Sequence, residues 1–300
     1  MKNVIFGPIT SRRFGKSLGI DLSPNEKCCN FDCLYCELGK GVIKSTNNSN
    51  LTVAEIIQKL KTALKIHKDC DYITKTANGE PTLYPNLNEL INSINKIKTN
   101  EKSLILSNSS TIFKDDIKKS LLNLDAVKLS LDSAIPKTFQ KIDRTNIELN
   151  KIIEGIVDFS KIYNGELFLE CLILKDINDN ENEMKALNDV FKKIKAKRLD
   201  LSTIDRPSDY DVTAVTHEKL SYLASFLTNI NVNIVYRKEQ EQNISYNDDI
   251  VKTLSLRPLS IDEVKQLDKK SQTIIKNLIE EKSIELIEQN KVIFYKLNKK

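Results

Sequence analysis

The sequence predicts an α/β protein in which parallel strands alternate with helices. Between residues 17 and 227, six strand-like segments are each followed by a helical pattern, and this alternation requires right-handed crossovers between parallel strands. The fifth strand, Leu167–Leu174, is almost wholly apolar, as expected of a strand buried on both faces. The pattern fits a full or partial (β/α) barrel as well as an open doubly wound sheet. In each of these folds the functional residues lie at the C-terminal ends of the strands.

Periodicity and capping signals assign the elements of this core in order. A capping box at Thr52 and Glu55 opens the first helix, which continues to about Ile66. The predicted strands are Ser17–Asp21, Tyr72–Thr76, Leu104–Ser107, Ala126–Leu131, Leu167–Leu174 and Arg198–Ser202, with Asn231–Tyr236 as a further candidate. The other predicted helices are Leu87–Ile97, Ile112–Leu122, Pro136–Ile142, Leu149–Ile162, Glu181–Ile194 and His217–Leu227. We therefore expect a core domain over residues 1–236.

The last part of the sequence has a different pattern. Residues 237–249 are polar and lack periodicity, which predicts a linker. Three helices followed by a hairpin then predict a small winged-helix-like α+β domain over residues 250–300. Its predicted elements are a helix near Ile250–Leu254, a helix opened by a capping box at Ser260 and Glu263, a helix over about Gln272–Lys282, and strands at Ile284–Ile287 and Val292–Tyr295.

The third helix of a winged helix often contacts nucleic acid. Here Lys276 and Lys282 are offset by Glu280 and Glu281, so this helix is close to neutral, whereas affinity for phosphates needs clustered basic residues. A basic cluster remains at the tail, formed by Lys296, Lys299 and Lys300. We expect a packing or protein-contact role for this domain, with nucleic-acid binding as the alternative.

Composition narrows the class of protein. The chain has 300 residues, of which 40% are hydrophobic and 29% charged, as in an ordinary globular protein. Its net charge of +5 and pI near 8.7 permit a nucleic-acid partner without requiring one. The start lacks the pattern of a signal peptide, and no apolar run approaches the roughly 18 residues of a membrane span. We therefore expect a cytoplasmic protein with no membrane partner.

The cysteines give the sharpest chemical signal. Four of the six lie between positions 28 and 36, and loops this tight in a reducing compartment point to metal binding rather than disulfides. Cys29, Cys33 and Cys36 are spaced C-x-x-x-C-x-x-C and can bind three irons of a [4Fe–4S] cluster, which leaves the fourth iron open. An open metal position is typical of a catalytic site. Structural zinc is the alternative, but its fourth ligand would be Cys28, directly adjacent to Cys29.

With Tyr35 before the third cysteine, the segment CCNFDCLYCELG resembles the cluster motif of the radical S-adenosylmethionine (SAM) superfamily. Together with GPITSRRFG, GEPTL, VKLSLDSA, DRT and STIDRP, it is similar to the iron–sulfur oxidoreductases grouped with wyosine-synthase-like proteins. The resemblance implies a partial (β/α)6 barrel of TIM type, SAM bound at the open iron, and an electron donor such as flavodoxin or ferredoxin. No second cysteine set stands N-terminal to the triplet, which departs from the wyosine synthase pattern.

The resemblance also implies cofactor contacts at the other strand ends. Gly79 and Glu80 would bind the amino group of the SAM methionine, although the segment N-G-E-P is also a good turn. The remaining expected cofactor-binding residues are Tyr35, Ser107, Asn108, Ser130, Asp132 and Arg144. Ser130 or Asp132 would lie near the ribose and Arg144 near a carboxylate, whereas helix capping at strand-to-helix turns is the structural alternative.

Three functions stay open at this point. The resemblance and the mild positive charge favour a radical SAM enzyme that acts on a nucleoside in tRNA. A maturase or activase of a partner protein is a second possibility. A non-enzymatic iron–sulfur or zinc regulator with a DNA-binding winged helix is the third. Three arginines match family positions that could bind phosphate or carboxylate, namely Arg12, Arg13 and Arg206.

Overall fold

An eight-stranded sheet forms the centre of the computed structural model, which describes residues 4–11, 13–236, 250–289 and 292–298. Its strands follow the order of the chain from one edge to the other, and every neighbouring pair is parallel except the first, which is antiparallel. The strands are β1 Ile5–Ser11, β2 Gly15–Asp21, β3 Tyr72–Thr76, β4 Lys102–Ser107, β5 Ala126–Ser130, β6 Glu166–Ile173, β7 Arg198–Thr203 and β8 Val232–Val235.

Helices connect these strands and cover one face of the sheet. They are α1 Val53–Ile66, α2 Leu87–Ile97, α3 Asp115–Leu121, α4 Pro136–Asp143, α5 Leu149–Ile162, α6 Glu181–Phe191 and α7 His217–Ala224. Alternate residues of the strands, such as Ile73, Ile105 and Val127, are fully buried against these helices in the main core. Six strand–helix repeats followed by the parallel strand β8 confirm the predicted α/β class. Among the described residues, no helix is long and apolar enough to cross a membrane.

The opposite face of the sheet carries aromatic and charged side chains. Phe14 contacts Tyr72 and Phe168 edge-to-face, with ring centroids 5.6 and 5.2 Å apart. Beside this aromatic cluster, Glu170 of β6 forms ion pairs with Lys128 of β5 and with Arg13. This face therefore has its own packing and its own charge network, separate from the helix-covered core.

The strand β1 was not expected from the sequence. Its segment contains Gly7-Pro8, which is a turn signal, and its pairing with β2 shifts register between Phe6 and Ile9. Proline is tolerated here because β1 is an edge strand of the sheet. Helix α3 also begins at Asp115, three residues after the predicted start, because residues 111–114 form turns instead.

The described C-terminal residues form a second small unit. Its elements are α8 Ile250–Leu256, β9 Leu259–Ser260, α9 Ile261–Lys265, α10 Lys269–Glu280, β10 Ile284–Gln289 and β11 Val292–Leu297. The three strands pair antiparallel in the order β10-β11-β9 over a separate apolar core, and Ile9 of β1 packs against that core. The short strand β9 was not expected. The predicted linker 237–249 lies outside the described residues, and the winged-helix assignment stays a prediction.

Candidate functional site

The cysteine segment follows β2 at its C-terminal end, as the sequence predicts for a loop that carries function. Cys29, Cys33 and Cys36 are partly exposed, whereas Cys28 is buried with its thiol 3.2 Å from the carbonyl oxygen of Thr46. A turn in which the Cys36 amide donates to the Cys33 carbonyl (3.1 Å) joins the last two cysteines of the triplet. Among the described residues, the structure therefore brings the three predicted ligands into one loop and directs Cys28 elsewhere.

Backbone hydrogen bonds join this loop to the segment after β3. The Cys28 amide donates to the Asn78 carbonyl and the Glu80 amide donates to the Cys28 carbonyl, each over 2.8 Å. Gly79 lies between these two bonds with φ +134°, and an added Cβ would collide with the carbonyl group of Cys28. Glycine is needed at this position because the cysteine loop approaches its backbone directly.

Glu80 is 1% exposed and its carboxylate is held by four donors. Oε1 accepts hydrogen bonds from the Thr82 amide (2.9 Å), the Thr82 hydroxyl (2.6 Å) and the Ser107 hydroxyl (2.8 Å). Oε2 accepts one from the Asn108 amide at 2.7 Å. Burial raises the pKa of Glu80, and these donors oppose that shift. The carboxylate therefore ties the ends of β3 and β4 together and keeps acceptor capacity on Oε2 for a ligand.

Each thiol of the triplet has a polar neighbour. The side-chain amide of Asn108 lies 3.5 Å from Cys29 Sγ, and the Lys27 ammonium lies 3.4 Å from Cys36 Sγ. The third thiol, that of Cys33, donates to Asp143 Oδ1 over 3.2 Å. Sequence reasoning named Asn108 but not Lys27, which lies just before the quoted cysteine motif. It quoted the DRT motif but gave Asp143 no role, because only the fold brings Asp143 to Cys33.

The chemistry of this donor set fits an iron–sulfur cluster. Burial of the thiols raises the pKa of Cys29 to about 12 and raises that of Cys33 well above its usual value. Ionisation of Cys29 and Cys33 therefore needs a cationic group beside them, which bound iron would supply. Among the described residues, no group of three or more His, Cys, Asp or Glu is arranged to hold a single metal ion. A cubane cluster does not need such a group, because each cysteine binds a different iron.

Tyr35 and Asp132 are also in contact. The Tyr35 hydroxyl donates to Asp132 Oδ2 over 2.5 Å, and the Leu172 amide donates to Oδ1 over 2.8 Å. Burial raises the pKa of Asp132 above its ordinary range. Ser130 accepts a hydrogen bond from the Ser109 hydroxyl (2.8 Å) on its backbone carbonyl. Of the two predicted ribose-side residues, Asp132 thus contacts the cysteine loop, and its hydrogen bonds also hold the end of β5 against β6.

Arg144 lies at the outer edge of the site. Its Nε donates to Asp32 Oδ2 over 3.2 Å. The Arg144 guanidinium and the Lys40 ammonium each lie 4.8 Å from the centroid of the Tyr210 ring. The Tyr210 hydroxyl donates to the same Asp32 oxygen. An open cavity of about 480 Å³ adjoins this group, lined by Asp32, Gly41, Ile43, Gln140, Arg144, Thr145 and Asn146.

Two of the three predicted arginine positions have partners inside the protein. Arg13 forms an ion pair with Glu170 on the sheet face opposite the helices. Arg206 donates to the Pro258 carbonyl (3.1 Å) and to Glu263 (3.2 Å), so it contacts the C-terminal unit. Arg12 lies outside the described residues.

Comparison with known proteins places this fold and site in a family. A profile of the radical SAM superfamily matches residues 27–187, more than half of the chain. The chain therefore belongs to the radical SAM superfamily, whose members are enzymes. This family implies a [4Fe–4S] cluster and S-adenosylmethionine as cofactors.

Relatives within the family extend over almost the whole chain. A UPF0026 protein of Helicobacter pylori strain J99 is 39% identical over 298 residues, which cover 97% of each chain. A UPF0026 protein of Methanocaldococcus jannaschii is 29% identical over 316 residues, which cover 98% of this chain and 96% of the relative.

Two solved structures share the fold. A radical SAM methyltransferase from Sphaerobacter thermophilus has a TM-score of 0.56 and 12% identity, over 73% of this chain and 66% of that one. SuiB from Streptococcus suis, bound to S-adenosylmethionine, has a TM-score of 0.56 and 16% identity, over 73% of this chain and 50% of SuiB. The chain thus spans just under two thirds of the first protein and half of the second. Both show an α/β fold with the parallel-strand sheet typical of the radical SAM TIM-like barrel.

Proposed function

We propose that this chain cleaves S-adenosylmethionine reductively at a [4Fe–4S] cluster held by Cys29, Cys33 and Cys36. The observation that carries the proposal is the pair of backbone hydrogen bonds between Cys28 and residues 78 and 80, which places the cysteine loop against Glu80. A reduced cluster held there would supply the electron for cleavage of SAM into methionine and a 5′-deoxyadenosyl radical, and that radical would take a hydrogen atom from the substrate.

The residues of the chain bind and orient the cofactors. In this proposal, Glu80 accepts the ammonium of the SAM methionine on Oε2, the oxygen with a single described donor. Asn108 offers an amide beside Cys29, and Asp132 presents a carboxylate near the ribose. The half-buried Tyr35, which belongs to the cysteine loop, fixes Asp132 through its hydroxyl.

We further propose that the chain works in the cytoplasm and receives its electron from a flavodoxin or a ferredoxin. The substrate proposed first is a nucleoside in tRNA, supported by the motif resemblance and by the net charge of +5. A partner protein that is matured or activated is the alternative. Arg206 of the core contacts Pro258 and Glu263 of the C-terminal unit, so part of that unit packs on the core. This packing favours a structural role for the unit over nucleic-acid binding.

Anaerobic reconstitution followed by dithionite and SAM tests the cleavage reaction. The parent should release 5′-deoxyadenosine, measured by liquid chromatography. Cys29→Ala should release it at least 100-fold more slowly, because one iron ligand is gone. Cys70→Ala is the matched control, since Cys70 is a buried thiol outside the site. No 5′-deoxyadenosine from the reconstituted parent, or equal release from the parent and Cys29→Ala, would contradict the proposed reaction.

The tRNA substrate is tested separately. Nucleosides from total tRNA are compared by mass spectrometry in strains with and without the gene. A nucleoside that disappears in the deletion strain and returns with the parent gene, but not with Cys29→Ala, would support this substrate. An unchanged nucleoside profile would exclude it and favour a protein substrate.

A further inference from the structure

A lysine that precedes the cysteine triplet contacts the sulfur of its last member. The ammonium of Lys27 lies 3.4 Å from Cys36 Sγ, within hydrogen-bond distance for a sulfur acceptor. The same ammonium donates to the carbonyl of Gly39, so it also holds the turn that follows the triplet. Lys27 is therefore directed into the cysteine loop and has defined partners there.

The loop has a space for this side chain. Gly41 lies against the aliphatic part of Lys27, and an added Cβ at Gly41 would lie 2.9 Å from Lys27 Cδ. The Lys27 side chain is only partly exposed, in contrast to Lys40 on the same loop, which is exposed. Lys27 is therefore packed within the loop, with its ammonium beside Cys36 Sγ.

Hydrogen bonds and positive charge near the ligating sulfurs act on the redox equilibrium of an iron–sulfur cluster. Reduction adds one negative charge to the cluster, and part of this charge resides on the cysteine sulfurs. A cation that donates to one of these sulfurs stabilises the reduced state more than the oxidised state, which raises the reduction potential. A donor at 3.4 Å in a partly buried loop is screened less than the same pair would be in bulk water.

We propose that Lys27 is a positioning residue that raises the reduction potential of the cluster through its contact with Cys36 Sγ. This inference rests on the proposed function, because it requires a cluster on the cysteine triplet. It goes beyond that function in assigning a role to a residue that is neither a ligand nor a SAM contact. In this role Lys27 makes the cluster easier for the electron donor to reduce.

Midpoint potentials of the reconstituted protein test the proposal. The reduced cluster is followed by electron paramagnetic resonance in an anaerobic redox titration, a signal that comes only from molecules carrying a cluster. Lys27→Met should lower the midpoint potential by about 59 mV. For a one-electron couple, this shift is a fall of about tenfold in the ratio of reduced to oxidised cluster at a fixed applied potential. Lys27→Arg keeps a charged donor and should stay within about threefold of the parent.

The matched control is Lys44→Met. Lys44 is on the same loop, but its ammonium pairs with Glu26 (2.6 Å). Removing this charge should change the ratio less than threefold. Equal potentials for the parent and Lys27→Met, or equal shifts for Lys27→Met and Lys44→Met, would overturn the role of Lys27. If either result comes with normal 5′-deoxyadenosine release, the role of Lys27 is overturned and the proposed function stands. A parent protein that forms no cluster overturns both the role of Lys27 and the proposed function.

Discussion

Gly79 is the residue on which the geometry of the site depends most directly. It separates two backbone hydrogen bonds to Cys28, and its φ of +134° is favourable for glycine alone. From the sequence, we expect Gly79 to let SAM come close to the backbone. The structure shows a contact with the cysteine loop, which no local pattern could reveal because residues 28 and 79 are distant in the chain.

Gly79→Ala should therefore impair cluster binding. The new Cβ would collide with the Cys28 carbonyl, so the cysteine loop must move away from Glu80. We expect iron and sulfide per reconstituted chain to fall at least threefold, and the melting temperature to fall by several degrees. Asn78→Ala is the control, because the described contacts of Asn78 use its backbone. Parent-like iron content in Gly79→Ala would show that the loop adapts without this close approach.

Strand β6 shows how far a residue pattern predicts an element and where it fails. Its apolar run correctly predicts a buried strand, and Thr52 begins α1 with the predicted capping box. This apolar run also contains the charged residue Glu170, and the run itself does not show which cations pair with it. Its partners Lys128 and Arg13 come from another strand and from the turn before β2. Local signals thus predict the helices and strands well, whereas cross-strand charge pairing depends on the register of the sheet.

The ion pairs of Glu170 with Lys128 and Arg13 should make the free energy of unfolding depend on pH in the acid range. Burial alone would raise the pKa of Glu170, but Lys128 and Arg13 more than offset it and lower the pKa to about 2. The unfolded value is about 4.3, so the stabilisation is full above that pH and is lost as the pH falls towards the folded value.

Glu170→Gln should cost on the order of 3 kcal/mol of unfolding free energy at pH 7, since it leaves Lys128 and Arg13 without their partner. The difference from the parent should shrink between about pH 4.3 and 2, as urea denaturation at several pH values would measure. In the control Glu148→Gln, the exposed pair with Lys151 should contribute less than about 1 kcal/mol. A loss at pH 7 no larger than that of the control would contradict this account.

At the scale of the whole molecule, the C-terminal unit is attached to the strand end from which the site is built. Lys252 of α8 forms a buried ion pair with Asp21, the last residue of β2. Asp21 Oδ1 also accepts the Asn78 amide over 2.9 Å, so the connection continues into the segment that carries Gly79 and Glu80. The sequence predicts the elements of this unit except β9, but not its attachment, because Lys252 and Asp21 are 231 positions apart.

Lys252→Met should leave Asp21 buried without its cation and destabilise the protein by about 3 kcal/mol in urea denaturation. Asp21→Asn should also destabilise it. The double variant should be less destabilised than the sum of the two single variants by at least about 1 kcal/mol, because the two side chains are coupled. Additive losses would mean that Lys252 and Asp21 are not coupled, and that other contacts, such as those of Ile9 and Arg206, hold the unit.

The contacts of Tyr210 offer a position for a fluorescent probe. Its ring lies near Lys40 of the cysteine loop and Arg144 after α4, beside the open cavity. The chain contains no tryptophan, so Tyr210→Trp would introduce a single indole with a uniquely assignable fluorescence. Indole is the stronger partner for cations, so the contacts with Lys40 and Arg144 should persist. Emission from that one ring would then report, in real time, any rearrangement of the cysteine loop as cofactor or substrate enters.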